Sequence, residues 1–228
     1  NKILNEIGNV VFKSRLINFD GIIKFEDSEV EKIPKGWKKD TIYNCAKYVN
    51  GSAFRDEDFS IQKKGKAIIK ILELKYGISS STKFTTKKVE PKYNIKNNDI
   101  LFSWSGSPDT SIDIFIWMGG DAILNQHIHK IGIKNPNEKP FVYFLLKYFK
   151  KTFVEIARNK QTTGLGHVTM DDLKKLQIVL PNEKEMELFY KISNPIFNSI
   201  CNNLLNITRL TELRDNFLEN MMSGKIKI

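Results

Sequence analysis

Cysteine is nearly absent from this chain of 228 residues: Cys45 and Cys201 stand far apart and match neither a Cys-x-x-Cys nor a metal-ligand spacing. Reduced thiols of a cytoplasmic protein are therefore expected, not a disulfide framework or a zinc site. Long apolar runs are missing too. No stretch of about eighteen apolar residues occurs, Lys147 interrupts the richest one from Phe141 to Phe149, and no basic-apolar-small pattern opens the chain, so neither a membrane span nor a targeting segment is expected. The phosphate-loop pattern Gly-x-x-x-x-Gly-Lys-Ser/Thr does not occur, which removes the signature of an ATP-driven motor. Arginine is scarce, with Arg15, Arg55, Arg158, Arg209 and Arg214 the complete set. Each is informative, because the planar guanidinium pairs with guanine where lysine offers only a point charge.

What is abundant is lysine. The formal net charge is +10, and it is unevenly spread. Residues 1–32 hold 5 Lys/Arg against 6 Asp/Glu, residues 33–182 hold 25 against 14, and residues 183–228 hold 6 against 6, so the excess of +11 sits in the middle. A solubility charge would be distributed over the whole surface, whereas a basic domain between near-neutral flanks is the footprint of a polyanion-binding module. With 41% hydrophobic residues and a mean hydropathy of −0.34 the chain can bury one sizeable core, although length alone does not separate one domain from two small ones.

Local patterning repeats the three-part division. Ile3, Ile7, Val10 and Val11 recur at helical spacing, and Gly21 with the acidic stretch from Glu26 to Glu31 ends that pattern. Pro34-Lys35-Gly36-Trp37 is a turn signal opening the basic region, with Trp37 as a core anchor. Short β-type runs follow at 67–72, 99–104, 112–118 and 128–133, and one helix is expected over 139–156. The middle therefore reads as α+β, a loop-rich mixed domain. From Glu183 onward the pattern is helical, with Ile200, Leu204, Ile207, Leu210, Leu213, Phe217 and Met221 in one stripe and Pro195 as a kink near its start. Such a stripe needs a partner helix, and the amino-terminal helix is too short to cover it. A missing segment or a second copy of the chain is expected there.

Several separate segments carry a family likeness: Pro34-Lys35-Gly36-Trp37, Asn50-Gly51-Ser52-Ala53-Phe54, Gly77-Ile78-Ser79, Asn98 to Ser103, Asn125-Gln126-His127, and Thr162 to Thr169 with Asp172 to Pro181 and the helix after it. Together they resemble the type I restriction-modification DNA specificity subunit and span nearly the whole chain. The resemblance implies a non-catalytic subunit in which two target recognition domains alternate with two long helices of an antiparallel coiled coil. Each recognition domain reads one half of a split target in double-stranded DNA, and the assembly includes methyltransferase subunits and a restriction subunit. On that pattern residues 1–32 are the end of a spacer helix and a linker, 33–182 a target recognition domain and 183–228 the distal spacer helix. The chain then corresponds to a carboxy-terminal half, with a natural half-size subunit as the alternative. No cofactor or metal is implied.

Because base-reading residues vary within that family, side-chain chemistry has to nominate candidates. Phosphates want Lys, Arg and backbone N–H groups, and base edges want Arg, Lys, Asn, Gln, Ser and Thr. Four loops qualify. The foremost is Arg158, Asn159, Lys160, Gln161, Thr162 and Thr163 with His167, a dense series of donors after a helix with bare glycines beside it. The others are Lys75, Ser79, Ser80 and Lys83 in a hydroxyl-rich loop, Ser105 and Ser107 around Gly106, and Arg55 at the end of 50–55. As plain structure these are a helix-to-strand connection, a solvated loop and tight turns. Arg209 and Arg214 lie on the distal helix, where protein is the expected neighbour.

Catalytic signals are weaker than their structural readings. Asn194-Pro195-Ile196-Phe197 resembles the Asn-Pro-Pro-Tyr tetrapeptide of amino-methyltransferases, but it sits at a helix start with no glycine-rich cofactor strand upstream. His127 and His129 alternate as two metal ligands on a strand would, yet no carboxylate or cysteine cluster joins them. Pro108-Asp109 lacks a defensible Glu-x-Lys partner for a nuclease site. A stand-alone DNA methyltransferase or nuclease is the rival enzyme reading, and a pure interaction scaffold is the other.

Overall fold

The computed structural model describes residues 1–22, 24–27 and 32–225. Most of the expected acidic break, residues 28–31, lies outside them, as does Ile226. Phe25–Asp27 and Lys32–Pro34 pair as short antiparallel strands on either side of that break. The expected turn follows, closed by Trp37 N–H donating to the Pro34 carbonyl at 3.0 Å, and Trp37 is buried edge-on against Phe19.

The helices are α1 (Lys2–Leu16), α2 (Ile71–Tyr76), α3 (Pro108–Ser111), α4 (Lys139–Tyr148), α5 (Lys150–Asn159), α6 (Met170–Lys175) and α7 (Glu183–Met222). Two four-stranded sheets make up most of the remaining framework, beside two-stranded pairs such as Lys38–Thr41 with Gln177–Leu180. One is antiparallel, in the order Asp113–Ile116, Ile100–Ser103, Ile128–Gly132, Lys47–Asn50. The other is mixed, in the order Phe84–Thr85, Lys66–Ile69, Ala122–Leu124, Asn94–Ile95, with its two central strands parallel.

The antiparallel sheet is the middle layer, and period-two alternation explains why. Ile100 and Phe102 point into the large core shared with α4, α5 and α7, while Leu101 between them points into the smaller core under the mixed sheet. All four residues of Ile100–Ser103 are buried, as a strand covered on both faces requires. The same alternation puts Ile128 on the small-core side and Ile131 on the other.

Where the elements depart from expectation, local chemistry gives the reason. The run at 67–72 is a strand only to Ile69; α2 begins at Ile71, held by the Glu73 carboxylate accepting the Lys70 N–H at 2.9 Å. The single helix expected over 139–156 is two, α4 and α5, with a change of direction at Phe149, whose ψ of 1° leaves the helical well. Phe149 and Phe153 can then both reach the large core.

α1 runs antiparallel to the first half of α7. Asn1 meets Asn203 at 3.1 Å, Phe12 meets Phe189 edge-on at 5.9 Å and Arg15 meets Glu185 at 3.0 Å, so one helix descends as the other rises. Gly8 makes the close approach to α4 possible, since a Cβ there would lie 2.0 Å from the Phe144 ring. The buried face of α1 is Gly8, Phe12 and Leu16; the expected stripe of Ile3, Ile7 and Val10 lies on its exposed side. Asn182 caps α7 by accepting the Glu185 N–H, and Glu183 and Glu185 complement the positive end of the helix dipole. Pro195 lies inside α7, not at its start. No described helix is long and apolar enough to cross a membrane.

Candidate nucleic-acid interface

Strand direction brings three of the four candidate loops to one end of the sheets. Ile100–Ser103 runs towards that end and continues into Trp104 and Ser105; Ile128–Gly132 leaves it from His127; Lys47–Asn50 arrives there and continues to Arg55. Trp104 ties the segments together. Its indole N–H donates to the Asn50 side-chain oxygen at 3.0 Å, its backbone N–H to the His127 carbonyl at 3.2 Å, and its carbonyl accepts from Val168 at 2.8 Å. Ser105–Gly106 then pairs with Gly166–His167 as a two-stranded ladder. Gly166 is required by packing, because a Cβ would lie 2.0 Å from the Ala157 carbonyl oxygen and push the ladder off α5.

Two aromatic contacts stiffen the hub. His129 stacks on Trp104 at 5.4 Å with rings 17° apart, and His127 lies tilted at 5.5 Å. Burial drives the His129 pKa down to about 4, so its ring is neutral at physiological pH. The two histidines do not alternate along a strand as expected: the strand starts at Ile128, and His127 occupies a left-handed turn with φ 74°.

The foremost loop has its cations already engaged. Arg158 pairs with Asp109 of α3, both exposed, and this pair joins the two loops across the ladder. Lys160 donates to both oxygens of Asp172 at 2.6 Å, and Asp172 closes the α6 cap by accepting from the Thr169 N–H and hydroxyl at 2.7 Å. Burial pushes the Asp172 carboxyl up, but Lys160 and Thr169 outweigh it and hold the group below the usual carboxylate value. Lys160 is thus built into the scaffold. Asn159, Gln161, Thr162 and Thr163 are exposed, and Thr162 pairs with Leu165 across a tight turn that holds Thr163 at φ 48°. Ser105, Ser107 and His167 are half-buried at its base.

The loop after α2 forms an adjoining basic edge. Lys70 and Lys83 lie 5.1 and 5.9 Å over the Phe59 ring, and Lys63 donates to the Ser80 carbonyl at 2.6 Å. Ser79 and Ser81 share a hydroxyl hydrogen bond at 2.9 Å, and Lys75 is exposed at the end of α2. Ile69 joins this edge to the hub, accepting from Asn125 at 3.0 Å. Arg55 is exposed and only 3.8 Å from Glu57. Local sequence did not expose Lys63, Lys70 or the pairing of Trp104 with Asn50. A tryptophan among serines was visible at 103–107, but its partner lies fifty-four residues upstream.

The other weighed signals have structural places. Phe197 of Asn194-Pro195-Ile196-Phe197 is buried inside α7 against Tyr143 at 5.4 Å, and Asp109 serves Arg158.

Residues 34–213 match the model of the type I restriction modification DNA specificity domain. The chain belongs to that family. It is similar to the type I restriction enzyme MjaIX specificity subunit of Methanocaldococcus jannaschii, 24% identical over all of this chain and 54% of that protein. It is also similar to the EcoBI specificity subunit of Escherichia coli, at 19% identity over 92% of this chain and 41% of that protein. The chain spans about half the length of these curated relatives. In fold it resembles the HsdS subunit from Thermoanaerobacter tengcongensis, with a TM-score of 0.57 and 12% identity over 99% of this chain and 52% of that one. The type I S subunit from M. genitalium superposes with a TM-score of 0.52 and 19% identity over 88% of this chain and 49% of that one. In the family's terms, the matched region takes in the mixed α/β domain, the Trp104 hub and the first 31 residues of α7.

Proposed function

We propose that this chain is a non-catalytic target recognition module that reads one half of a split DNA sequence for a type I restriction-modification complex. The observation that carries the reading is the Trp104 hub, which gathers three separate donor-rich loops onto one rigid end of a basic domain. Rigid strand ends with polar loop tips suit groove reading, because the framework fixes register while the tips choose bases. Arg158, Asn159, Gln161, Thr162 and Thr163 are assigned to base edges, with Ser105, Ser107 and His167 supporting them. Arg55, Lys75, Ser79, Ser80 and Lys83 are assigned to phosphates. Asp109 holds Arg158 ready and exchanges it for guanine, a swap of one charge-assisted pair for another. Lys160 acts indirectly, by fixing the loop's base on Asp172. Methyltransferase subunits, and through them a restriction subunit, dock along the helices, with residues 183–228 as spacer.

Binding of duplex DNA by the chain, followed against salt, tests the reading. If about six phosphates are contacted, the log-log slope is near −5. A slope near zero removes the DNA-binding claim and favours an interaction scaffold. Base assignment is tested in the complete complex, where Arg158→Ala and Gln161→Ala should each relax the methylated motif by about 1–3 kcal/mol at one position. An unchanged motif shows that this loop does not read. Transfer of methyl groups from S-adenosylmethionine by the chain alone would establish the rival enzyme reading.

A further inference from the structure

The ends of the sheets opposite the hub form a second basic site. Strands that finish at the hub begin here: Lys66 opens one central strand of the mixed sheet, Asp121 precedes the other, and Asp99 precedes Ile100–Ser103. Between them lies a cavity of about 390 Å³ whose polar lining includes Lys66, Lys96, Lys130 and Lys139 against Asp99 and Asp121. The charge is unbalanced by two. None of these four lysines is in an ion pair among the described residues. Lys66 and Lys130 are instead oriented by a neutral partner, donating to the Asn94 side-chain oxygen at 2.8 Å and to its carbonyl at 2.7 Å. Asp99 is partly committed, accepting the Lys96 N–H at 2.9 Å. Lys139 is half-buried at the first turn of α4, and burial holds its ammonium below the usual lysine value although Asp99 pulls it up.

We propose that this cavity is a binding site for a small phosphoanion of the di- or triphosphate class, separate from the DNA-reading end. Lys66 is exposed and Lys130 half-buried, yet one asparagine holds both ammonium groups, and with the half-buried Lys139 they form a preorganised positive concavity. Lysine point charges suit phosphate oxygens, whose donors can approach from many directions. The volume exceeds that of a single phosphate and accommodates two or three in series. The position implies that an anion here leaves the reading loops open, because the length of the strands separates the two ends.

Inorganic pyrophosphate is the probe, titrated calorimetrically into the full chain at constant ionic strength made up with chloride. Saturable one-to-one binding is expected, weakened at least tenfold by Lys66→Met with Lys130→Met and left unchanged by Arg158→Ala. Lys130→Gln alone, compared by thermal melting without ligand, separates a lost contact from a lost fold: melting should stay the same while affinity falls. Duplex DNA added at saturating pyrophosphate should bind with unaltered affinity. Non-saturable uptake, binding indifferent to the lysine pair, or competition between pyrophosphate and DNA would each overturn the proposal. The last outcome would assign these lysines to the DNA backbone.

Discussion

The two halves of α7 carry the same kind of apolar spacing in different surroundings. From Phe189 to Cys201 the stripe is buried under α1 and α4, whereas Ile207, Leu210, Leu213 and Phe217 are 50–65% exposed. Ile200 and Leu204 mark the changeover, the first fully buried and the second packed at the edge of the core. Spacing reveals that a face is apolar; only the length of the neighbouring helix decides how much of it is covered. α1 has 15 residues against the 40 of α7, so it runs out near Asn203.

The largest effect expected from breaking this contrast lies in the covered half. Phe12→Ala or Phe189→Ala empties a site where three aromatic rings meet α1 and should cost about 3–5 kcal/mol, read as a lower denaturant midpoint. Next in size is Lys160→Ala, which leaves Asp172 buried without its cation and should cost about 1–3 kcal/mol. Its effect on DNA should follow from loop order and be smaller than that of Lys83→Ala once both are compared at equal fractions folded. Acid gives a graded test. The Asp113 carboxyl is pushed up by burial but pulled further down by Lys147 and Lys150, and Asp172 is likewise depressed, so the stability they contribute is present above about pH 4 and is lost as pH falls through their lowered values. Replacing Lys147 with Met removes part of what depresses Asp113 and should make the loss of stability on acidification shallower, read as the denaturant midpoint against pH. The smallest effect on the isolated fold belongs to the uncovered half. Ile207→Asp with Leu210→Asp should change the stability of the monomer by no more than about 0.5 kcal/mol, while shifting sedimentation from dimer to monomer if two copies pair through the stripe, and abolishing methyltransferase recruitment in the complete complex. A large loss of monomer stability would show that the outer stripe folds back on its own domain.

Legibility in the sequence followed the range of the interactions. The α+β class, the four expected strands and the long distal helix arise from short apolar runs and helical spacing, which are local, and all are present, the run at 67–72 as a strand only to Ile69. The strand at 122–124 is not legible in the sequence, because three apolar residues between turns give too short a signal, and α6 is defined by a cap at Thr169 more than by its own periodicity. The break at Phe149 was hidden by an apolar run that a single helix would also satisfy. Donor-rich loops could be nominated from composition, but their convergence depends on Trp104 reaching Asn50, and the commitment of Lys160 depends on Asp172. Charge counts cannot separate a lysine that holds a scaffold from one that awaits a ligand.

The doubly covered strand Ile100–Ser103 has an evolutionary consequence. Its stability is secured on both faces before the chain reaches Trp104, so the polar tips beyond the hub add little to the folding free energy. Substitutions at Gln161 or Thr162 can therefore be sampled almost neutrally with respect to stability. Under the proposed assignment of these tips to base edges, a protein built this way can drift to a new target without first unfolding.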